Sequence, residues 1–316
     1  MTDLDVLAGA AVLTVGDVML DEYVWGDVQR VSPEAPVPVV DSRRTTHVAG
    51  GAANVAAGVA ALGGRGMLFG VVGDDRSAEA LRAALADAGV EAGGLVTDDA
   101  RPTTTKTRVI AHAQQMLRID AEDRSALAGP TEAALVAAVT EQVCGADAVV
   151  ISDYGKGVVS EAVARAVIDA ARRGGKPVVV DSKALHYDLY RGATVITPNQ
   201  HDAARAANVH LERDEDLHEA VRRLRGLCDD AALLVTRGAA GMTLFDGEDI
   251  LHVPAETRDV YDVTGAGDTV VAVLALALGR GVALPEAVRL ANAAAGVVVG
   301  KIGTATVTLD ELERVS

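Results

Sequence analysis

From Ala148 onward, short and fully apolar runs alternate with segments of helical length, and this alternation restricts the fold more than any other feature of the chain. Ala148–Ile151, Lys176–Val180, Ala193–Thr197 and Ala231–Val235 read as strands; Ser160–Arg173, Asn199–Ala207 and Asp214–Leu227 read as helices between them. Strands that are apolar on both faces and separated by helices predict a mainly parallel sheet covered on both sides. Met242–Phe245 and Ile250–Val253 flank Asp246-Gly247, a hairpin turn signal, and the helices Gly265–Leu278 and Leu284–Val299 follow. Upstream, the same rules give strand Ala11–Val15, a helix from Ala49-Gly50-Gly51 through Leu62, strand Gly66–Val72, and helices Ser77–Ala88 and Pro130–Val143.

Two stretches fall outside this rhythm. Val18–Val48 holds three prolines, the only Trp (Trp25) and β-rich pieces around Glu22–Trp25 and Val37–Val40. Pro102–Ala113 and Gln115–Asp120 favour strands through Thr103-Thr104-Thr105 and their β-branched residues. Together they predict a small β-sheet lid, at about 18–48 and 102–120, inserted into one α/β domain that occupies residues 1–316. The hydrophobic content of 49% suffices for a large core, and aromatics at 3% make that core mostly Ala, Val and Leu.

The net charge of −16 argues against a nucleic-acid or anionic-membrane surface. Met1–Ala10 carries acids where a signal peptide has a basic region, and Val270–Leu278 and Ala293–Val299 are too short to span a bilayer. A soluble, cytoplasmic chain is expected. Cys144 and Cys228 form no C-x-x-C pair, and the histidines no cluster with metal spacing.

The expected strands end in polar residues: Asp17, Ser152-Asp153, Asp181, Thr197-Pro198-Asn199 and Thr236-Arg237-Gly238. In an open α/β sheet such endings converge on one ligand-binding rim. Two Gly-led helix starts face it. In Gly50-Gly51-Ala52-Ala53-Asn54, an amide stands among small apolar residues and needs polar partners, which suits a polyhydroxylated ligand. In Asp262-Val263-Thr264-Gly265-Ala266-Gly267-Asp268-Thr269, the glycines let backbone N–H groups approach an anion at a helix N-terminus. Asp268, in the first turn beside that anion, is placed to accept a hydroxyl proton. The competing reading is an Asp cap on an ordinary buried helix. No Walker, G-x-G-x-x-G, G-x-S-x-G or H-E-x-x-H motif is present.

Gly50-Gly51…Asn54 and Asp262-x-Thr264-Gly265-Ala266-Gly267-Asp268 resemble the two signatures of the ribokinase (PfkB) family of carbohydrate kinases. Five further stretches resemble the kinase domain of the bacterial heptose 7-phosphate kinases. They are Val15–Asp21, Val31–Val39, Gln114-Gln115-x-x-Arg118-x-Asp120, Ser152-Asp153-Tyr154-Gly155-Lys156-Gly157 and Asn292–Lys301. The resemblance implies a ribokinase-like α/β fold and transfer of the ATP γ-phosphoryl group to a sugar hydroxyl. For the heptose enzymes that hydroxyl is at C1 of D-glycero-D-manno-heptose 7-phosphate. Asp268 is then the base, and Gly265, Ala266 and Gly267 form the anion hole. Asp17, Asp21, Gly50, Gly51, Asn54 and Asp153 fall on the sugar side. Lys183, Asn199, Thr236, Gly238, Gly241 and Asn292 fall on the nucleotide side.

The family's N-x-x-E motif appears as Asn199-Gln200-His201-Asp202, so Asp202 and Asp181 would meet Mg²⁺, with Asp202 acting through water. A K⁺ near the anion hole would draw oxygens from Asp262, Thr264 and the Val298–Thr304 loop. A sugar phosphate needs cations at its far end, for which Lys106, Arg118 and Lys156 are candidates; Arg108 reads as an exposed strand charge. The chain stops at Ser316 and has no H-x-G-H stretch, so it resembles a stand-alone kinase rather than a bifunctional one. The resemblance also implies a homodimer paired through the lid. Two alternatives stand beside it: a kinase for another sugar, and a non-catalytic sugar- or nucleotide-binding regulator.

Overall fold

The computed structural model describes residues 4–112, 114–255, 261–301 and 303–315, apart from the side chain of Asp5. Met1–Asp3, Ala113 at the end of an expected strand, and Ile302 within the expected cation loop lie outside the described residues. In chain order, the elements begin with β1 (Ala11–Gly16), β2 (Val18–Val31), β3 (Pro38–Gly51), α1 (Ala52–Ala61), β4 (Arg65–Val72) and α2 (Arg76–Asp87). Next come β5 (Glu91–Thr97), β6 (Thr105–Ala111), β7 (Gln114–Ala121), α3 (Gly129–Gln142), β8 (Ala148–Asp153), α4 (Glu161–Arg173) and β9 (Val178–Ser182). The chain continues through β10 (Val195–Ile196), α5 (Gln200–Ala207), α6 (Asp214–Arg225), β11 (Ala232–Thr236), β12 (Met242–Asp246) and β13 (Asp249–Val253). It closes with α7 (Ala266–Gly279), α8 (Leu284–Val298) and α9 (Leu309–Glu313).

The apolar strands form a sheet in the order β13-β12-β11-β10-β9-β8-β1-β4-β5. It is parallel from β5 to β11, and the β12–β13 hairpin adds antiparallel to that edge. Alternate residues face opposite layers. Leu13, Val15, Val149 and Ile151 pack with α3 and α4, whereas Val12, Val150 and Val179 pack with α1, α7 and α8. The chain runs from β1 outward to β4 and β5, then returns to place β8 on the other side of β1. Strand order therefore reverses between β1 and β8, the switch point at which ligands bind to such sheets.

The residues outside the alternation form a second sheet, β3-β2-β6-β7. Its root is fixed by Val18, Leu20 and Ala49, which are buried with α1 and α2. Its strands are longer than the sequence pieces suggested. β2 and β3 pair from Val18↔Gly51 to Val31↔Pro38, with irregularities at Trp25/Gly26 and Val28/Arg30. Away from the root this sheet is half-exposed, so its strands carry charges and show no apolar run. Sequence reasoning also missed β5 and α9. β5 is an edge strand containing Gly93-Gly94, and it reads as a turn. Among the described residues, no helix is long and apolar enough to cross a membrane.

Candidate active site

Strand β1 ends at Gly16, and the next residue, Asp17, is buried. Its carboxylate accepts three backbone N–H groups from the loop after β8. Tyr154 N (2.8 Å) and Lys156 N (3.0 Å) reach Oδ2, and Val158 N (3.2 Å) reaches Oδ1. Burial, followed by the neighbouring Asp153, pushes the Asp17 carboxyl up to about 6, against the pull of those N–H donors. Asp17 thus holds a loop as well as lying in the expected sugar-side group. Asp153, at the end of β8, accepts from Tyr190 Oη (2.6 Å) and Gly155 N (2.8 Å). Burial raises its pKa despite these bonds.

The loop held by Asp17 carries Tyr154 to Asp268. Tyr154 Oη donates to Asp268 Oδ1 at 2.6 Å, and Asn54 Nδ2 donates to Oδ2 at 2.6 Å. Asn54 is the buried amide that the sequence left without partners, and α1 brings it across 214 residues of chain. Burial, then the charge of Asp181, pushes Asp268 up to about 6, opposed by the Asn54 and Tyr154 bonds and by Lys183. Helix α7 starts one residue later than expected, at Ala266, after Gly265 in the left-handed conformation (φ +81°), with no side chain capping its first turn. Among the described residues, a Cβ on Gly267 would meet nothing within 4 Å, so they leave this helix end open. Uncapped N–H groups at an open helix N-terminus form an anion seat, with a carboxylate beside it. That arrangement departs from an ordinary cap, because Asp268 bonds Asn54 and Tyr154 side chains.

Gly50 and Gly51 end β3, and Gly51 is also the N-cap of α1, so the pair leads into the expected helix. A side chain at Gly50 would strike the Asp21 carboxylate at 2.8 Å, and Gly51 has φ +57° beside the Asp17 carbonyl. Asp21 is buried and paired with Arg108 Nη1 at 2.6 Å. This corrects the reading of Arg108: its side chain is 15% exposed, because β2 and β6 lie parallel and bring it to Asp21. Arg118 pairs with Asp120 instead and is half-exposed on β7. Lys156 is buried, with Nζ 2.5 Å from Glu122 Oε2, and Lys106 Nζ lies 3.7 Å from the same oxygen. Burial alone would raise Glu122, but Lys156 and Arg124 outweigh it and hold the carboxyl down at about 2. Sequence reasoning missed Glu122 and Tyr154. A glutamate in a charged stretch and a tyrosine in a short loop carry no periodic signal.

The nucleotide-side candidates gather elsewhere on the rim. Asn199 bridges Thr236, Gly241 N donates to Gly238 O (3.0 Å), and Asn292 Nδ2 donates to Pro254 O (3.0 Å), just past β13. Gly241 (φ +83°) also turns tightly enough that a Cβ would strike the Val253 carbonyl. Asn199 caps α5 through Asp202 N, and the Asp202 carboxylate is taken up by Asn199 Nδ2 and Arg205 Nη2. Lys183 Nζ lies 3.1 Å from Asp181 Oδ1, which raises its pKa. Asp181 Oδ2 is buried without a hydrogen-bond partner among the described residues, as a metal-facing carboxylate oxygen would be. Asp262 takes Thr264 N and Oγ1 on one oxygen and Gly303 N on the other, while the Thr304 hydroxyl, beside Gly265, is buried without a partner among the described residues.

Bifunctional protein HldE of Caulobacter sp. (strain K31) is 51% identical over 307 residues, which are 96% of this chain and 62% of that protein. Bifunctional protein HldE of Bradyrhizobium diazoefficiens is 46% identical over 319 residues, 99% of this chain and 65% of that protein. The chain therefore spans a little under two thirds of the length of these relatives. In structure it is similar to Arabidopsis thaliana ribokinase complexed with ribose and ATP (TM-score 0.77, 23% identity, 97% of this chain and 98% of that one). It is also similar to Escherichia coli phosphofructokinase-2 in complex with potassium (TM-score 0.77, 23% identity, 98% of each chain). Residues 10–311 match the pfkB family carbohydrate kinase description, and this chain belongs to that family.

Proposed function

We propose that the chain is an ATP-dependent kinase for a sugar phosphate, acting on the C1 hydroxyl of D-glycero-D-manno-heptose 7-phosphate to give the 1,7-bisphosphate. One observation carries the reading: Asp268 stands in the first turn of α7, beside an uncapped and open helix N-terminus, with Asn54 fixing one of its oxygens. Asp268 takes the proton of the attacking hydroxyl, and the N–H groups of Gly265, Ala266 and Gly267 receive the charge on the phosphoryl group in flight. Phosphoryl transfer depends on such positioning and charge stabilisation. The identity to HldE proteins supports a heptose acceptor, and the ribokinase solved with ribose and ATP supports a sugar and a nucleotide on one rim.

Asp17, Asp21, Asn54 and Asp153 form the sugar side, with Gly50 and Gly51 admitting close approach. Lys106 and Lys156 supply the cations for a second phosphate; Arg118, paired with Asp120 on an exposed strand, contributes less. Lys183, Asn199, Thr236, Gly238, Gly241 and Asn292 form the nucleotide side. Asp181, with its unpartnered oxygen, is the residue suited to Mg²⁺; Asp202 is engaged by Asn199 and Arg205 and joins only through water. Bound Mg²⁺ supplies neutralising charge to the phosphates. Asp262 and Thr304 fit a K⁺, as the potassium complex of phosphofructokinase-2 suggests. The described fold acts as one kinase domain with its lid, and two copies pair through that lid.

ADP release with ATP, Mg²⁺ and a panel of acceptors tests the reading. The expectation is turnover with heptose 7-phosphate and a loss of roughly 10³-fold or more in Asp268→Asn. Turnover with ribose or fructose 6-phosphate in its place removes the heptose assignment. Undiminished turnover in Asp268→Asn removes the base.

A further inference from the structure

We propose that Tyr154 is the positioning residue for Asp268, a role that rests on the reading of Asp268 as base. Tyr154 fixes the carboxylate through Oδ1 and holds it in the charged form that accepts a proton.

The geometry carries the inference from two ends. At one end, Tyr154 Oη lies 2.6 Å from Asp268 Oδ1, opposite the Asn54 bond to Oδ2, so the carboxylate is clamped on both oxygens and cannot rotate. Each oxygen keeps a further lone-pair direction, so Oδ1 still has room for an incoming hydroxyl. At the other end, the backbone N–H of Tyr154 is bonded to Asp17 Oδ2, together with that of Lys156. One carboxylate oxygen at the switch point therefore sets where the phenol points and also where Lys156 meets Glu122. Lys183 Nζ sits 5.7 Å from the Tyr154 ring centroid, on the side of Asp181.

Among the described residues, the charged and titratable groups that act most strongly on Asp268 are Asp181 and Lys183 from the end of β9, and Tyr154 from the loop after β8; Asn54 from α1 is the neutral donor. Asp21, on β2, acts on Tyr154. Burial, then the charge of Asp268, holds the Tyr154 phenol well above its usual range, so it stays a donor throughout the working range of the base. Removing a donor to a carboxylate raises the carboxyl pKa.

The test follows the Asp268 ¹³Cγ resonance with pH in aspartate-labelled protein, assigned by its absence from Asp268→Asn. In Tyr154→Phe the midpoint moves up by about one pH unit. Tyr190→Phe, which removes a buried phenol that donates to Asp153, leaves it in place. A midpoint unmoved by Tyr154→Phe overturns the proposal. A measurement on the unmutated chain guards against a variant that does not fold: the Tyr154 ¹³Cζ resonance steps at the Asp268 midpoint, and a flat ¹³Cζ profile overturns the proposal equally. The acidic limb of kcat/KM moves with the ¹³Cγ midpoint. If the midpoint moves and the limb does not, the assignment of Asp268 as base is what fails.

Discussion

Asp268 bears a cost that its surroundings impose. Burial and Asp181 raise its pKa from 3.8 to about 6, so the charged form is disfavoured in the folded chain. A carboxyl raised in this way favours the fold below about pH 4, and that contribution is lost as pH rises through about 6. At neutral pH the penalty is on the order of 3 kcal/mol. Asp268→Asn is therefore expected to melt a few degrees above the wild type at about pH 7.5, with the difference shrinking between about pH 6 and pH 4. Scanning calorimetry at both ends checks this; an equal difference at both would contradict it. Asp268 was legible because two glycines and an acid before a long apolar run are an uncommon way to begin a helix. Its clamp was half legible: Asn54 stood out as an amide on an Ala/Val face, whereas Tyr154 stood inside a stretch of family resemblance with no periodic signal for its role. Arg108 was misread because its partner, Asp21, lies 87 residues away and sequence spacing cannot show a parallel pairing of β2 with β6.

Asp268 and Asn54 ride on two helices whose mutual distance is set by small residues. One turn on from Asn54 in α1 is Gly58, and one turn on from Asp268 in α7 is Ala272. A Cβ added at Gly58 would lie 3.2 Å from the Ala272 methyl. The contact sits directly below the Asn54–Asp268 bond, so a wedge there parts the pair. Gly58→Val is expected to cost about 1–3 kcal/mol through overpacking and to lower kcat more than it raises KM. Denaturant unfolding with steady-state kinetics checks this, and normal stability with normal kcat would refute it. The inner strands of the main sheet were legible because both of their faces are buried and their apolar runs are continuous, whereas the edge strand β5 is part-exposed and was missed. The lid strands β2, β3, β6 and β7 were legible only in part, since a half-exposed sheet beyond its root carries charges, irregular pairings and a Gly in mid-strand.

At the scale of the molecule, two sheets meet around the rim. The lid turns Lys106, Arg108 and Arg118 toward one face by strand alternation, and Leu117 and Ile119 toward the other, where they stand 47% and 56% exposed. Exposed aliphatics on one face of an edge strand suit a second copy of the chain. Sedimentation velocity at micromolar protein is expected to give a dimer, and Leu117→Asp with Ile119→Asp a monomer; a monomeric wild type would contradict the pairing. The two-sheet architecture was readable from the alternation and its interruption. The meeting of Lys106 and Lys156 at Glu122 was not, because only tertiary packing brings them together.

The central claim, phosphoryl transfer from ATP to a sugar phosphate at C1, is tested most directly by ³¹P NMR of a reaction with ATP, Mg²⁺ and heptose 7-phosphate. The account predicts that the original phosphomonoester resonance persists, that an anomeric phosphate resonance grows beside it, and that ADP appears in equal amount. Consumption of ATP with no new sugar-phosphate resonance, or growth of a resonance at any position other than C1, would contradict it.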